Sequence, residues 1–203
     1  MEMDLIRDAI DKIELRIAGS GSEDAIVTLV TDPDVIYCQY EKGACIRAVY
    51  GGRSAEFITA DPVVATTRIG FMFGATLGSL PQRAAATAII NVVTGFFGIS
   101  RVLKSCDPAS HRDCLAALRA EIGSGRIFPV GIHGNVLARL APVVGGPEEA
   151  DVILIVGDGM IAKGTGDLIA GIQGKKRVLF LGPSTSGVCA LEGCRHWCPY
   201  GRG

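Results

Sequence analysis

Isoleucines at positions 6, 10, 13 and 17 recur at the spacing of one helix face, with acidic and basic residues between them. This predicts an amphipathic helix over residues 4–17. Residues 18–23 (AGSGSE) break the pattern as a linker. Four short apolar runs follow, at 25–30, 35–40, 44–50 and 55–59. Asp32-Pro33, Glu41-Lys42-Gly43 and Gly51-Gly52 separate them as turn formers, so the spacing predicts an antiparallel meander with the helix against it.

Beyond Asp61 the chain becomes rich in glycine and alanine. Pro81 suits the first turn of a helix, expected over 82–95, where Ala84, Ala85, Ala86 and Ala88 allow close approach of neighbours. A further helix is expected over 110–122, with Leu115, Leu118 and Ile122 on one face. Residues 126–130 read as a strand near a sheet edge, because Pro129 removes a donor. Residues 135–140 read as helical. The run at 151–156 (DVILIV) is of the kind buried on both faces of a parallel sheet. A short helix at 166–172 and a strand at 177–181 complete the pattern. The expected fold class is α/β: a small Rossmann-like parallel sheet with helices, preceded by an α+β antiparallel meander. The expected division is an N-terminal α+β region at 1–79, a Rossmann-like domain at 80–188 and a cysteine-rich C-terminal tail at 189–203.

The composition narrows the class. In 203 residues, 48% are apolar and 20% charged, with a formal net charge of −1. Such a chain buries a core, and its charge gives no general pull toward nucleic acid or a membrane surface. The N-terminus is acidic and mixed, unlike a signal peptide, which predicts a cytoplasmic protein whose seven cysteines stay as thiols. The longest uncharged stretch, 84–100, carries Thr87, Asn91 and Thr94, and reads as a buried core helix rather than a membrane span.

The 27 glycines suggest where chemistry would sit. Each C-terminal strand is followed by glycine and polar residues: Gly131-Ile132-His133-Gly134-Asn135, then Gly157-Asp158-Gly159 with Ala162-Lys163-Gly164-Thr165-Gly166, then Gly182-Pro183-Ser184-Thr185-Ser186-Gly187. Ligands of open α/β sheets bind outside the carboxyl ends of the strands. Singly, each glycine is a turn between strand and helix; together they suggest one crevice. The candidate ligand-binding residues are His133, Asp158, Lys163, Gly164, Thr165, Ser184 and Thr185. Asn91 either caps neighbouring backbone or joins them, and Arg83 reads as a solvated charge. Residues 157–162 match G-x-G-x-x-A, but the next strand ends in Leu181-Gly182-Pro183 without the acid a dinucleotide site needs. A P-loop is also disfavoured, because Lys163 precedes Gly164 instead of following it.

The thiols fall into three groups. Cys38 and Cys45 flank a predicted turn, and Cys106 and Cys114 surround a helix start beside His111; these four read as buried small hydrophobes. Cys189, Cys194, His196 and Cys198 crowd the tail as C-x4-C-x-H-x-C. Four such donors could hold zinc or another thiophilic transition metal ion.

Several segments occur in an order that resembles a known family: residues 83–91 (RAAATAIIN), 150–155 (ADVILI) with Gly157, Lys163-Gly164-Thr165, and Leu181-Gly182-Pro183-Ser184-Thr185. This resembles the heavy-metal chelation domain family, long a domain of unknown function, over residues 80–186. The resemblance implies an enolase-N-terminal-like domain paired with a Rossmann-like domain, with a site between the two. The chain departs from that pattern at Ser186-Gly187 and in its cysteine-rich ending.

The reading expected from all this is chelation of a metal ion or metal-bearing small molecule in an inter-domain crevice. The alternative is an enzyme acting on a small anionic metabolite held by the strand-end loops, with His133 or Lys163 handling the proton. A third reading treats the tail as a docking or redox element. No nucleic-acid or membrane partner is expected, and a homo-oligomer stays open.

Overall fold

The computed structural model describes residues 3–35, 38–132 and 135–203. Helix α1 (Leu5–Ile17) opens the chain, and Asp4 caps it by accepting from the amides of Ile6 and Arg7. Ile6, Ile10, Ile13 and Ile17 are buried, as the spacing predicted. Each such side chain contributes roughly 1.5–3 kcal/mol of apolar burial, which holds a helix of this length in place.

Strands β1 (Ile26–Asp32), β2 (Ala44–Tyr50), β3 (Arg53–Thr59) and β4 (Ala65–Arg68) form an antiparallel sheet in the order β3-β2-β1-β4. The strand expected at 35–40 is not there: Val35 and residues 38–40 lie outside any strand, and Ile36 and Tyr37 lie outside the described residues. Cys38 and Tyr40 are buried in a different core, away from β1. The other side of β1 is taken by β4, whose sequence ATTR carries little apolar signal.

Helix α2 (Leu80–Phe96) begins with a capping box of Ser79 and Gln82 and has Pro81 in its first turn. It packs on β2, β3 and α1. Next come α3 (His111–Ile122), β5 (Ile127–Val130), β6 (Val152–Ile155), the short α4 (Gly157–Ile161), α5 (Thr165–Ile172), β7 (Arg177–Leu181), α6 (Ser186–Glu192) and β8 (His196–Trp197). Strands β5, β6, β7 and β8 form a parallel sheet in that order, with Pro129 on the edge strand β5. Residues 135–140 supply only a single 3-10 turn, Leu137–Arg139. The chain then turns back along β5, where the Ile127 amide donates to the Pro142 carbonyl.

The parallel sheet is covered on both sides, which explains the unbroken apolar run of β6. Ile153, Ile155 and Phe180 face one core with α1, α2 and α6. Val152, Leu154, Leu179 and Leu181 face a second core with α3, Cys38 and Tyr40. Helix α2 therefore lies between the antiparallel sheet and α6 of the parallel half. The approach of α2 and α6 is close: a Cβ on Gly187 would lie 2.6 Å from Asn91 Oδ1. Among the described residues no helix is long and apolar enough to cross a membrane.

The tail segment contributes to this architecture. Cys189 lies in α6, His196 and Trp197 pair with Phe180 and Leu181, and the Arg202 amide and carbonyl bond to Lys104.

Candidate functional site

The free edge of β3 faces the parallel half of the molecule. The outward amides of Glu56 and Ile58, and that of Ala60 just past the strand's end, each find an acceptor on this side. The Glu56 amide donates to the Leu103 carbonyl (2.8 Å), the Ile58 amide to Ser184 Oγ (2.9 Å) and the Ala60 amide to Asp158 Oδ2 (2.9 Å). Two sequence-predicted residues, Ser184 and Asp158, thus sit together at the ends of β7 and β6 and cover an otherwise open sheet edge.

The residue that sequence reasoning missed is Glu41. It stands in a turn-forming Glu-Lys-Gly stretch, and nothing in its local pattern distinguishes it from an exposed turn residue. The turn that carries it is fastened to the parallel half. The Cys38 amide donates to Ser105 Oγ, Gln39 Nε2 to the His111 carbonyl, and Tyr40 Oη lies 3.5 Å from Cys114 Sγ. The Glu41 carboxylate is brought against Gly157, Gly182 and Ser184, where a Cβ on Gly182 would come within 3.2 Å of it. Only 7% of Glu41 is exposed, and neither carboxylate oxygen has a hydrogen-bond partner among the described residues. Burial pushes its pKa up to about 8; the Ser184 hydroxyl and Gly157 amide nearby pull the other way, and Glu56 and Asp158 push further up. Asp158 Oδ1 is likewise buried without a partner among the described residues.

Glu56 connects this place to the surface. Its Oε2 accepts from the Ser105 amide (2.8 Å), and it lines a polar cleft of about 460 Å³ with Arg47, Lys104, Cys106 and Arg202.

The other predicted residues divide among separate tasks. Asn91 is a clamp: its Nδ2 donates to the Ser184 carbonyl (3.0 Å) and its Oδ1 accepts from the Gly187 amide (2.9 Å). Thr185 Oγ1 donates to the Gly182 carbonyl and Thr165 Oγ1 to the Gly159 carbonyl, both within the local turn. Lys163 and Gly164 are exposed and border a second cavity of about 500 Å³ with Asp4, Arg7 and Arg83. His133 lies outside the described residues. Arg83, expected to be solvated, is instead buried: it grips Asp4 through both terminal nitrogens and donates from Nε to the Ile161 carbonyl (2.5 Å). The second glycine of the G-x-G-x-x-A stretch, Gly159, has its Cα face against the Val130 carbonyl, where any Cβ would overlap. That contact accounts for the glycine by helix–strand packing.

The tail donors face in different directions. Cys189 and Cys194 lie together at the end of α6, beside Glu192 and Lys12. His196 Nε2 is 2.9 Å from the Gly182 carbonyl. Cys198 lies on the other side, near Cys106 and Cys114. Burial raises the thiol pKa of Cys38, Cys106 and Cys114, and pushes Cys45 and Cys198 up to about 12. Cys194 alone among the thiols is shifted down, chiefly by the neighbouring Cys189 thiol. Among the described residues, no three His, Cys, Asp or Glu side chains are grouped so as to hold a metal ion.

No family model matches the chain, and no curated protein matches it. Among solved structures, the chain is similar to a protein of unknown function from the DUF364 family of Desulfitobacterium hafniense DCB-2. The two share 14% identity and a TM-score of 0.52, over 93% of this chain and 81% of that one. The likeness is one of fold. A DUF364 family protein of unknown function from Pyrococcus horikoshii gives 15% identity and a TM-score of 0.49, over 89% of this chain and 78% of that one.

Proposed function

We propose that the protein binds a metal ion or a metal-bearing small molecule where the antiparallel sheet meets the carboxyl ends of β6 and β7. Glu41 carries this reading: a buried carboxylate, both oxygens unpartnered among the described residues, beside a second acid with an unpartnered oxygen. A buried acid and a half-buried neighbour repel, and a cation between them would offset both that repulsion and their desolvation. Glu41 and Asp158 would supply oxygen donors, and Cys38 and Cys198 lie near enough to Glu41 to feel its charge. This mixed donor set suits zinc or another borderline transition metal ion. Among the described residues no three such side chains are grouped, so a metal here would take its remaining positions from water or from donors of a bound small molecule. The resemblance to the heavy-metal chelation domain family points to the same chemistry.

Calorimetric titration of the reduced, metal-free protein with Zn²⁺ tests the proposal. The expected result is saturable uptake with proton release at neutral pH, because Glu41 must lose its proton to coordinate. Glu41→Gln should abolish the uptake, and a Cys189→Ser, Cys194→Ser double variant should retain it. Zn²⁺ binding that is equally strong in Glu41→Gln, or no binding to the wild-type protein, overturns the proposal.

A further inference from the structure

Helix α6 ends in a specific cap, and that cap sets two thiols against each other. Gly193 takes the left-handed conformation (φ 68°, ψ 24°), and its amide turns back to the Cys189 carbonyl. The Cys194 amide also donates to the Cys189 carbonyl, at 3.1 Å. A bond spanning five residues around a left-handed glycine is the Schellman arrangement, in which the side chain after the glycine contacts the one five residues earlier. In most proteins that contact is apolar. Here both partners are cysteine, and their thiols are close enough to shift each other's titration. The sequence CALEGC is therefore a cap signature and a dithiol at once.

The two sulfurs differ in access. Cys189 is 2% exposed, whereas Cys194 is partly exposed. Cys194 borders a cavity of about 290 Å³ with Gln173, Lys176, Phe180, Glu192 and Arg195. Lys12 of α1 reaches the same helix end, donating to the Leu191 carbonyl (3.2 Å) and to Glu192 (2.7 Å). The other five cysteines lie elsewhere, four of them fully buried.

We infer that Cys189 and Cys194 form a redox dithiol that closes to a disulfide when a peroxide reaches the cavity beside Cys194. In the first step the Cys194 thiolate attacks one oxygen of hydrogen peroxide. An S–O bond forms, the O–O bond breaks, and the departing hydroxide takes a proton to leave as water. In the second step the Cys189 sulfur attacks Cys194 Sγ. An S–S bond forms, the S–O bond breaks, and the hydroxide leaves as water with the Cys189 proton. Two thiols and one peroxide thus give one disulfide and two waters. The accessible thiol meets the oxidant and the buried one resolves it. The backbone cap ties the two residues together at the end of the helix.

Mapping of disulfides by mass spectrometry tests this, on the full chain, reduced and then titrated with hydrogen peroxide before free thiols are alkylated. The expected first product is a cross-link between Cys189 and Cys194. In Cys189→Ser, dimedone should trap a sulfenic acid on Cys194; in Cys194→Ser, Cys189 should remain alkylatable once the protein is denatured. Serine keeps the size of the side chain and the backbone cap, and circular dichroism of each variant checks the fold. The inference is overturned if another cysteine oxidises while Cys189 and Cys194 both stay free. It is also overturned if Cys194 cross-links to a different thiol in the wild-type protein.

Discussion

Asp4 holds Arg83 through two parallel hydrogen bonds, Oδ2 to Nη1 at 2.7 Å and Oδ1 to Nη2 at 2.8 Å. The same carboxylate caps α1, so one residue fastens the first helix of the chain to the start of α2. The Arg83 guanidinium holds the Asp4 carboxyl below its usual range. Asp4→Asn should destabilise the protein by about 2 kcal/mol, less than for a fully buried pair because Asp4 is partly exposed. A lowered carboxylate pKa stabilises the fold above the unfolded value and loses that effect as pH falls through the folded one. Urea unfolding of both proteins at neutral pH and in acid checks this: their midpoints should converge in acid.

Glu41 works in the opposite direction. A carboxyl raised to about 8 binds its proton more tightly in the folded state, so stability falls as pH rises from the ordinary value of 4.5 toward 8. The slope is about 1.4 kcal/mol per pH unit at most. Glu41→Gln should remove this slope and leave the metal-free protein more stable than wild type at pH 8, in thermal unfolding at a series of pH values.

Ser184 accepts the Ile58 amide in a buried setting. Ser184→Ala leaves that donor without a partner and should cost about 1–3 kcal/mol. Amide hydrogen exchange should accelerate at Ile58, while β2, which is held by its own pairing with β1 and β3, stays protected.

Asn91 satisfies both the Ser184 carbonyl and the Gly187 amide from the interior of α2. Asn91→Leu removes both bonds and forces a branched side chain toward Gly187. A loss of about 3 kcal/mol or more is expected, read as a lower denaturation midpoint. Asn91→Asp tests the same clamp more gently: it keeps the acceptor for Gly187 and loses the donor for Ser184.

Much of the framework was legible along the chain. Helix α1 followed from four isoleucines on one face, and β6 and β7 from short unbroken apolar runs. The edge position of β5 followed from Pro129. These features depend on residues close in sequence. Strand β4 did not emerge, because ATTR has little apolar content and is held by pairing with β1. Residues 35–40 looked strand-like because apolar residues mark burial, and Cys38 and Tyr40 are indeed buried, but against α3 instead of a neighbouring strand.

The site divided in the same way. Glycine-rich strand ends drew notice to Asp158 and Ser184, which do meet at one place. Glu41 was hidden because a glutamate before Lys-Gly is an ordinary surface turn; only the packing of its turn on α3 and Ser105 carries it inward. The tail shows the complementary case. Its sequence set four soft donors within ten residues, but α6 turns Cys189 and Cys194 to one side while β8 carries Cys198 to the other. Periodicity along the chain determined which segments are helix or strand and which faces they bury, since those depend on neighbours three, four or two residues away. Which polar groups meet, and which lose their water, was decided only when two sheets and a shared helix packed together, because desolvation and pairing belong to residues far apart in the chain.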